Sequence, residues 1–199
     1  MFDIHESATR KGDFFSSDCT ESKGVPVPLQ MPDSSAVPSL REYPSRLFVE
    51  ITTRCNLRCR MCVKQTSGNC IVEGDMSPDI FATLEPAFPH IEALILNGIG
   101  EPLLHRGLET FIRRARALMP VDAWIGFQSN GLLLDQARAV SLVEAGLDRI
   151  CLSMDSVSPE TFRKIREGGE VRDLESALAA LRFARQEVLR HCKSAWSSW

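Results

Sequence analysis

From Leu47 onward the chain alternates short apolar runs with longer amphipathic ones. The short runs, 47–51, 92–97, 123–128 and 149–153, have the length and apolar content of buried strands. Helix candidates with readable ends lie between and after them. Ser77 followed by Pro78 predicts an N-cap with proline in the first turn, and Pro86 closes that helix. Leu108, Phe111, Ile112, Ala115 and Leu118 mark the inward face of the second helix, which ends before Pro120. The third spans about 135–145, with Ala139, Leu142 and Val143 inward and Gly146 as its C-terminal glycine. Ser158 and Pro159 open a fourth helical stretch, which Gly168-Gly169 interrupts. Leu174, Leu178, Leu181 and Val188 then carry an amphipathic helix toward the end. Met76, Met119 and Trp124 read as core packing, and Cys151 as a small buried hydrophobe inside the fourth strand.

Repeated strand–helix units predict an α/β fold with a parallel sheet and right-handed crossovers. Four such units are visible. Residues 1–44 show no apolar period, and Pro26, Pro28 and Pro32 oppose helix, so a mostly disordered leader is expected there, either throughout or with a short element packed on the domain, and Cys19 is expected as a plain exposed thiol. Residues 45–190 form the folded core, and 191–199 read as an irregular tail.

Composition narrows the picture. A chain of 199 residues, 44% hydrophobic and 25% charged, is large enough for one sizeable core. A net charge of -3 gives no reason to expect nucleic acid or an anionic membrane as partner. No segment resembles a signal peptide or approaches the roughly 18 apolar residues of a membrane span, so a cytoplasmic location is expected. The seven cysteines are odd in number and three are clustered, which favours metal binding over disulfides. His5, His90, His105 and His191 match no metal spacing, and His105, after the Glu101-Pro102 turn, is expected at the surface, with a place facing the site as the alternative. No Ser-His-Asp set or phosphate-binding Gly-rich loop competes for the assignment.

The chemistry-bearing residues follow the C-terminal ends of the predicted strands, where loops converge in βα folds. Cys55, Cys59 and Cys62 form a C-x3-C-x2-C motif after the first strand. Three thiolates can hold three corners of an iron–sulfur cluster and leave one iron open to a ligand. A zinc knuckle is the other reading, with Cys70 or His90 as fourth donor. Arg54, Arg58 and Arg60 either stabilise an anionic cluster or are solvated surface charges. After the second strand, Gly98 and Gly100 let the backbone approach a ligand, and Glu101 can accept from a cationic group; the bland reading is a tight turn. Ser129 and Asn130 offer polar side chains after the third strand. After the fourth, Ser153 and Asp155 either contact the ligand or, for Asp155, cap the following helix.

Cys55, Asn56, Leu57, Cys59, Met61 and Cys62 together resemble the cluster motif of the radical S-adenosylmethionine (SAM) superfamily. The resemblance implies a partial (βα) barrel of that type, four units of six. It implies a [4Fe-4S] cluster on Cys55, Cys59 and Cys62, with SAM chelating the open iron. Reductive cleavage of SAM would yield methionine and a 5′-deoxyadenosyl radical that takes a hydrogen atom from a peptide or small-molecule substrate. Gly98, Gly100 and Glu101 resemble the family's GGEP element, with Ile99 where the first glycine of the pair would stand. Ser153 and Asp155 resemble its S-x-D element, and Ser129 and Asn130 fall in register as further SAM contacts. A reductant protein such as flavodoxin or ferredoxin is implied as partner. The segment is similar to members that modify peptides or mature cofactors. With two βα units missing, either the chain is truncated or another polypeptide completes the barrel. The alternative to an enzyme is therefore a non-catalytic or partner-dependent cluster-binding fragment.

Overall fold

Each apolar run that predicts a strand forms one, because its alternate side chains can be buried against helices. The structure is a computed structural model that describes residues 2–3, 41–66 and 71–196, with side chains described for 41–66 and 71–188. Its strands are β1 (Phe2–Asp3), β2 (Arg46–Phe48), β3 (Arg58–Cys59), β4 (Ala93–Ile95), β5 (Trp124–Ser129), β6 (Arg149–Leu152) and β7 (Arg166–Glu167). Five of them form one sheet in the order β1-β6-β5-β4-β2. Strands β2, β4, β5 and β6 are parallel, with Phe48 beside Ile95, Ile95 beside Gly126, and Gly126 beside Arg149. This is the α/β fold with a parallel sheet predicted from the sequence.

Two short pairings lie outside the four predicted strands. Within the predicted leader, Phe2 and Asp3 pair antiparallel with Ile150 and Arg149 on the outer edge of β6. Residues 4–40, with Cys19 and the proline-rich stretch, lie outside the described residues. The second is the small antiparallel pair β3–β7, which sets Arg58 opposite Glu167 and Cys59 opposite Arg166.

The helices are α1 (Val63–Thr66), α2 (Pro78–Ala82), α3 (Leu108–Leu118), α4 (Gln136–Glu144), α5 (Pro159–Ile165) and α6 (Val171–Trp196). Predicted N-caps form: Ser77 accepts from Ile80 N–H, and Ser158 from Thr161 N–H. Asp135 caps α4 by accepting from Arg138 N–H. Helix α6 continues through Trp196, so the tail expected to be irregular from 191 is helical for most of its length. Leu118, expected inward, is 42% exposed in the last turn of α3, which leaves Leu108, Phe111, Ile112 and Ala115 to pack.

One face of the sheet, with Leu94, Ile125 and Ile150, packs into the hydrophobic core with Phe81, Phe88, Phe111, Ile112 and Leu142. Phe81 and Phe111 stack with ring centroids 4.0 Å apart. The other face carries Phe48, Ile95, Trp124, Arg149 and Cys151 around a hollow of about 260 Å³. Trp124 therefore lies half-buried under the Arg149 guanidinium, 4.3 Å from its ring centroid, and not in the core. Cys151 is likewise half-buried on this open face. Among the described residues no helix is long and apolar enough to cross a membrane.

Candidate functional site

The cysteine loop starts where β2 ends, and the chain ties that point down with charge. Thr52 Oγ1 donates to Asp75 Oδ1 at 2.7 Å, and Arg54 grips both Asp75 oxygens at 3.0 and 2.5 Å. Burial pushes the Asp75 carboxyl up, but the Thr52 hydroxyl and Arg54 guanidinium more than offset this and hold it below its usual range. Arg54 is thus a structural clamp and not a free charge beside a cluster. Arg58 and Arg60 are exposed.

Cys55, Cys59 and Cys62 follow as free, half-buried thiols lining one cleft of about 290 Å³. The Cys62 N–H donates to Cys59 O at 3.0 Å, and α1 begins directly after it. Burial pushes the Cys55 and Cys59 thiols up; Leu57 N–H opposes this at Cys55, and Arg166 at Cys59. Loading a metal centre on these thiols therefore releases protons. Among the described residues no three donors stand close enough for a single metal ion. Three soft donors on one cleft wall fit an iron–sulfur cube. His90 precedes β4, at the opposite end of the parallel strands, and stacks on Tyr43 with centroids 4.2 Å apart, so it is no fourth ligand. Cys70 lies outside the described residues.

The loop after β4 presses against the cysteine loop. Glu101 N–H donates to Arg54 O at 2.7 Å. A Cβ on Gly100 would sit 2.2 Å from Thr52 O, and one on Gly98 would sit 2.1 Å from the Glu50 carboxylate. Both glycines thus admit neighbouring parts of the chain itself, whatever ligand also lies there. Glu50 accepts from Ile99 N–H at 2.6 Å and fixes the loop from below.

Glu101 is 3% exposed and joins the second loop to the third. Its Oε1 accepts from Leu103 N–H at 3.1 Å and Ser129 Oγ at 2.8 Å, and its Oε2 accepts from Asn130 N–H at 2.7 Å. A carboxylate has about four acceptor directions, so one is left for a ligand. Burial pushes the Glu101 carboxyl above its ordinary range, and these donors counteract part of that rise. Asn130 Nδ2 donates to Asn56 Oδ1 at 2.8 Å, which returns the third loop to the cysteine loop. Ser153 lines the same cleft and accepts from Gln128 Nε2 at 2.9 Å.

Gly98, Gly100, Glu101, Ser129, Asn130 and Ser153 thus share one cleft with the three cysteines. Asp155 does not line it, and it does not cap α5, which Ser158 does. Its carboxylate instead holds Arg166, a cleft residue that no motif flagged. Glu50 also escaped notice; as a charge on the strand face shared with Phe48, it was the available clue. His105, expected at the surface, is 5% exposed. Its Nδ1 accepts from Gly107 N–H at 3.0 Å, so Nε2 carries the proton that goes to Met76 O, also at 3.0 Å.

The profile of the radical SAM superfamily matches residues 49–194. The tungsten-containing aldehyde ferredoxin oxidoreductase cofactor-modifying protein of Pyrococcus furiosus is 38% identical over 112 residues, 55% of this chain and 30% of that one. A probable GTP 3',8-cyclase of Methanosarcina mazei is 34% identical over 152 residues, 74% of this chain and 43% of that one. The chain therefore spans less than half the length of these relatives. Among solved structures, native anSMEcpe with bound AdoMet superposes with a TM-score of 0.60 at 21% identity, covering 71% of this chain and 42% of that one. That likeness concerns the fold.

Proposed function

The chain belongs to the radical SAM superfamily, and on that premise we propose that its cleft holds a [4Fe-4S] cluster on Cys55, Cys59 and Cys62 with SAM beside it. The observation that carries the reading is the convergence of three half-buried thiols with the loops after β4, β5 and β6 on one wall. When bound, the cluster supplies one electron to cleave SAM to methionine and a 5′-deoxyadenosyl radical, which takes a hydrogen atom from the substrate.

The chain's own residues bind, orient and enclose. Glu101 keeps one carboxylate acceptor for the SAM ammonium while its other bonds hold Ser129 and Asn130 in place. The Gly98–Gly100 backbone and Ser153 offer polar groups along the same wall. Asn97 and Gln128 line both this cleft and the hollow over Trp124, so a peptide or small-molecule substrate in that hollow lies next to SAM. An external one-electron donor such as flavodoxin or ferredoxin is the partner this chemistry needs.

A second reading is a chain that loads the cluster but turns over only when further strands cover the open sheet face. Phe48, 68% exposed there, favours it. The two separate on one experiment. Reconstituted anaerobically and reduced with dithionite, the chain is expected to convert SAM to methionine and 5′-deoxyadenosine in equal amounts. Cluster-loaded protein that leaves SAM intact contradicts turnover by this chain alone and favours the second reading.

A further inference from the structure

Arg166 belongs to no motif in the sequence, yet it lines the cleft beside the cysteine loop. Backbone pairing brings it there. Cys59 and Arg166 are opposite partners in the β3–β7 ladder, and Arg60 N–H donates to Ile165 O at 2.9 Å. The turn that follows needs a left-handed residue, supplied by Gly168 at φ 98°. The side chain is fixed as firmly. The Arg166 side chain is 12% exposed, and its Nε donates to Asp155 Oδ2 at 2.5 Å. That bond leaves Nη1 directed at Cys59, 3.8 Å from its Sγ, within reach of an N–H···S hydrogen bond.

We propose that Arg166 sets the reduction potential of the cluster by donating from Nη1 to the Cys59 thiolate, and that Asp155 moderates this by holding Nε and partly neutralising the guanidinium. Arg166 has this role only if the three thiols hold the cluster, as proposed above. The physical reason is a difference between two charge states. Reduction adds an electron to a centre that already carries three thiolate charges. A charged donor on one sulfur stabilises the reduced form more than the oxidised form, and so raises the potential. The effect is strong here because the guanidinium is mostly shielded from water. The Asp155 carboxylate, on the far side of the same guanidinium, acts in the opposite sense. A partner that orients a group bound to a ligand sulfur tunes a metal centre without touching it. Arg166 and Asp155 are positioning residues in this account, and neither needs to meet the substrate.

The test reads a potential, which a residue that merely clips two strands together would not move. The 199-residue chain is reconstituted anaerobically, its iron and sulfide are quantified, and its [4Fe-4S]+ resonance is followed during stepwise reduction without SAM. Arg166→Gln is expected to shift the midpoint to more negative potential, and Arg166→Lys to recover part of the shift. Asp155→Asn, which keeps an acceptor for Nε but removes the charge, is expected to shift it to more positive potential. Unchanged midpoints in Arg166→Gln and Asp155→Asn at full iron content overturn the proposal, as does a shift of both in one direction. If Arg166→Gln retains no cluster, Asp155→Asn decides alone: a positive shift supports the proposal and any other result overturns it. A parent chain that takes up no cluster overturns it together with the cluster reading, and iron content reports that outcome separately from the midpoint.

Discussion

Replacing Cys55, Cys59 or Cys62 singly by alanine leaves a chain that takes up no stable [4Fe-4S] cluster, with loss of essentially all its iron, sulfide and visible absorbance. The three thiols line one cleft, and among the residues whose side chains are described the only other cysteine is Cys151. That residue faces the hollow over Trp124, separate from the cluster loop. Two thiolates would leave two irons of the cube open to solvent, and the family's chemistry needs one. Cys151→Ala is the matched control and keeps full stoichiometry. The folded core survives all four changes, because none of these cysteines belongs to the hydrophobic cluster under the sheet. Iron and sulfide analysis of the four variants checks this; full cluster content in the three loop variants would contradict the assignment.

The second large effect is on stability. Glu101→Ala strands three buried or partly buried donors at once: Leu103 N–H, Asn130 N–H and the Ser129 hydroxyl. A buried donor left without an acceptor costs about 1–3 kcal/mol. Water entering the vacated volume returns part of that, so the expected net loss is about 2–4 kcal/mol. Glu101→Gln loses less, since one oxygen still accepts, but its amide nitrogen then meets a donor and the loss does not vanish. The sign with pH runs the same way. A carboxyl whose folded value is raised favours the protonated fold, so its ionisation weakens stability as pH rises through that raised value. Glu101→Gln removes this component from the pH profile. Urea unfolding of both variants across pH checks the prediction, and wild-type midpoints in Glu101→Ala would refute the three-donor role.

The parts of this protein that were legible in the sequence are those decided locally. Leu94, Ile125 and Ile150 lie in apolar runs bounded by turn residues, so these strands could be read directly. Ser77 and Ser158 announced their helices because an N-cap depends on the next three residues alone. The C-terminal stretch of α6 was not legible: residues 191–196 lack an apolar period, but they also contain no glycine or proline to stop a helix. The site shows the same division. The cysteine spacing is local and specific. The bond from Glu101 to Ser129 spans 28 positions, and that from Arg166 to Cys59 spans 107, so neither leaves a mark in any short motif. His105 misled because a polar ring in a turn reads as exposed, while both its nitrogens are in fact matched by the backbone of Met76 and Gly107. Asp155 was read as a ligand contact or a helix cap, and its carboxylate instead holds the Arg166 guanidinium, 11 positions away.

In the proposed site the three cysteines leave one iron open beside the loops after β4, β5 and β6, where SAM binds. Electron paramagnetic resonance of the reduced, reconstituted chain with and without SAM tests it most directly. The expected result is a [4Fe-4S]+ signal whose line shape and g-values change when SAM is added. A cluster signal identical with and without SAM would contradict it.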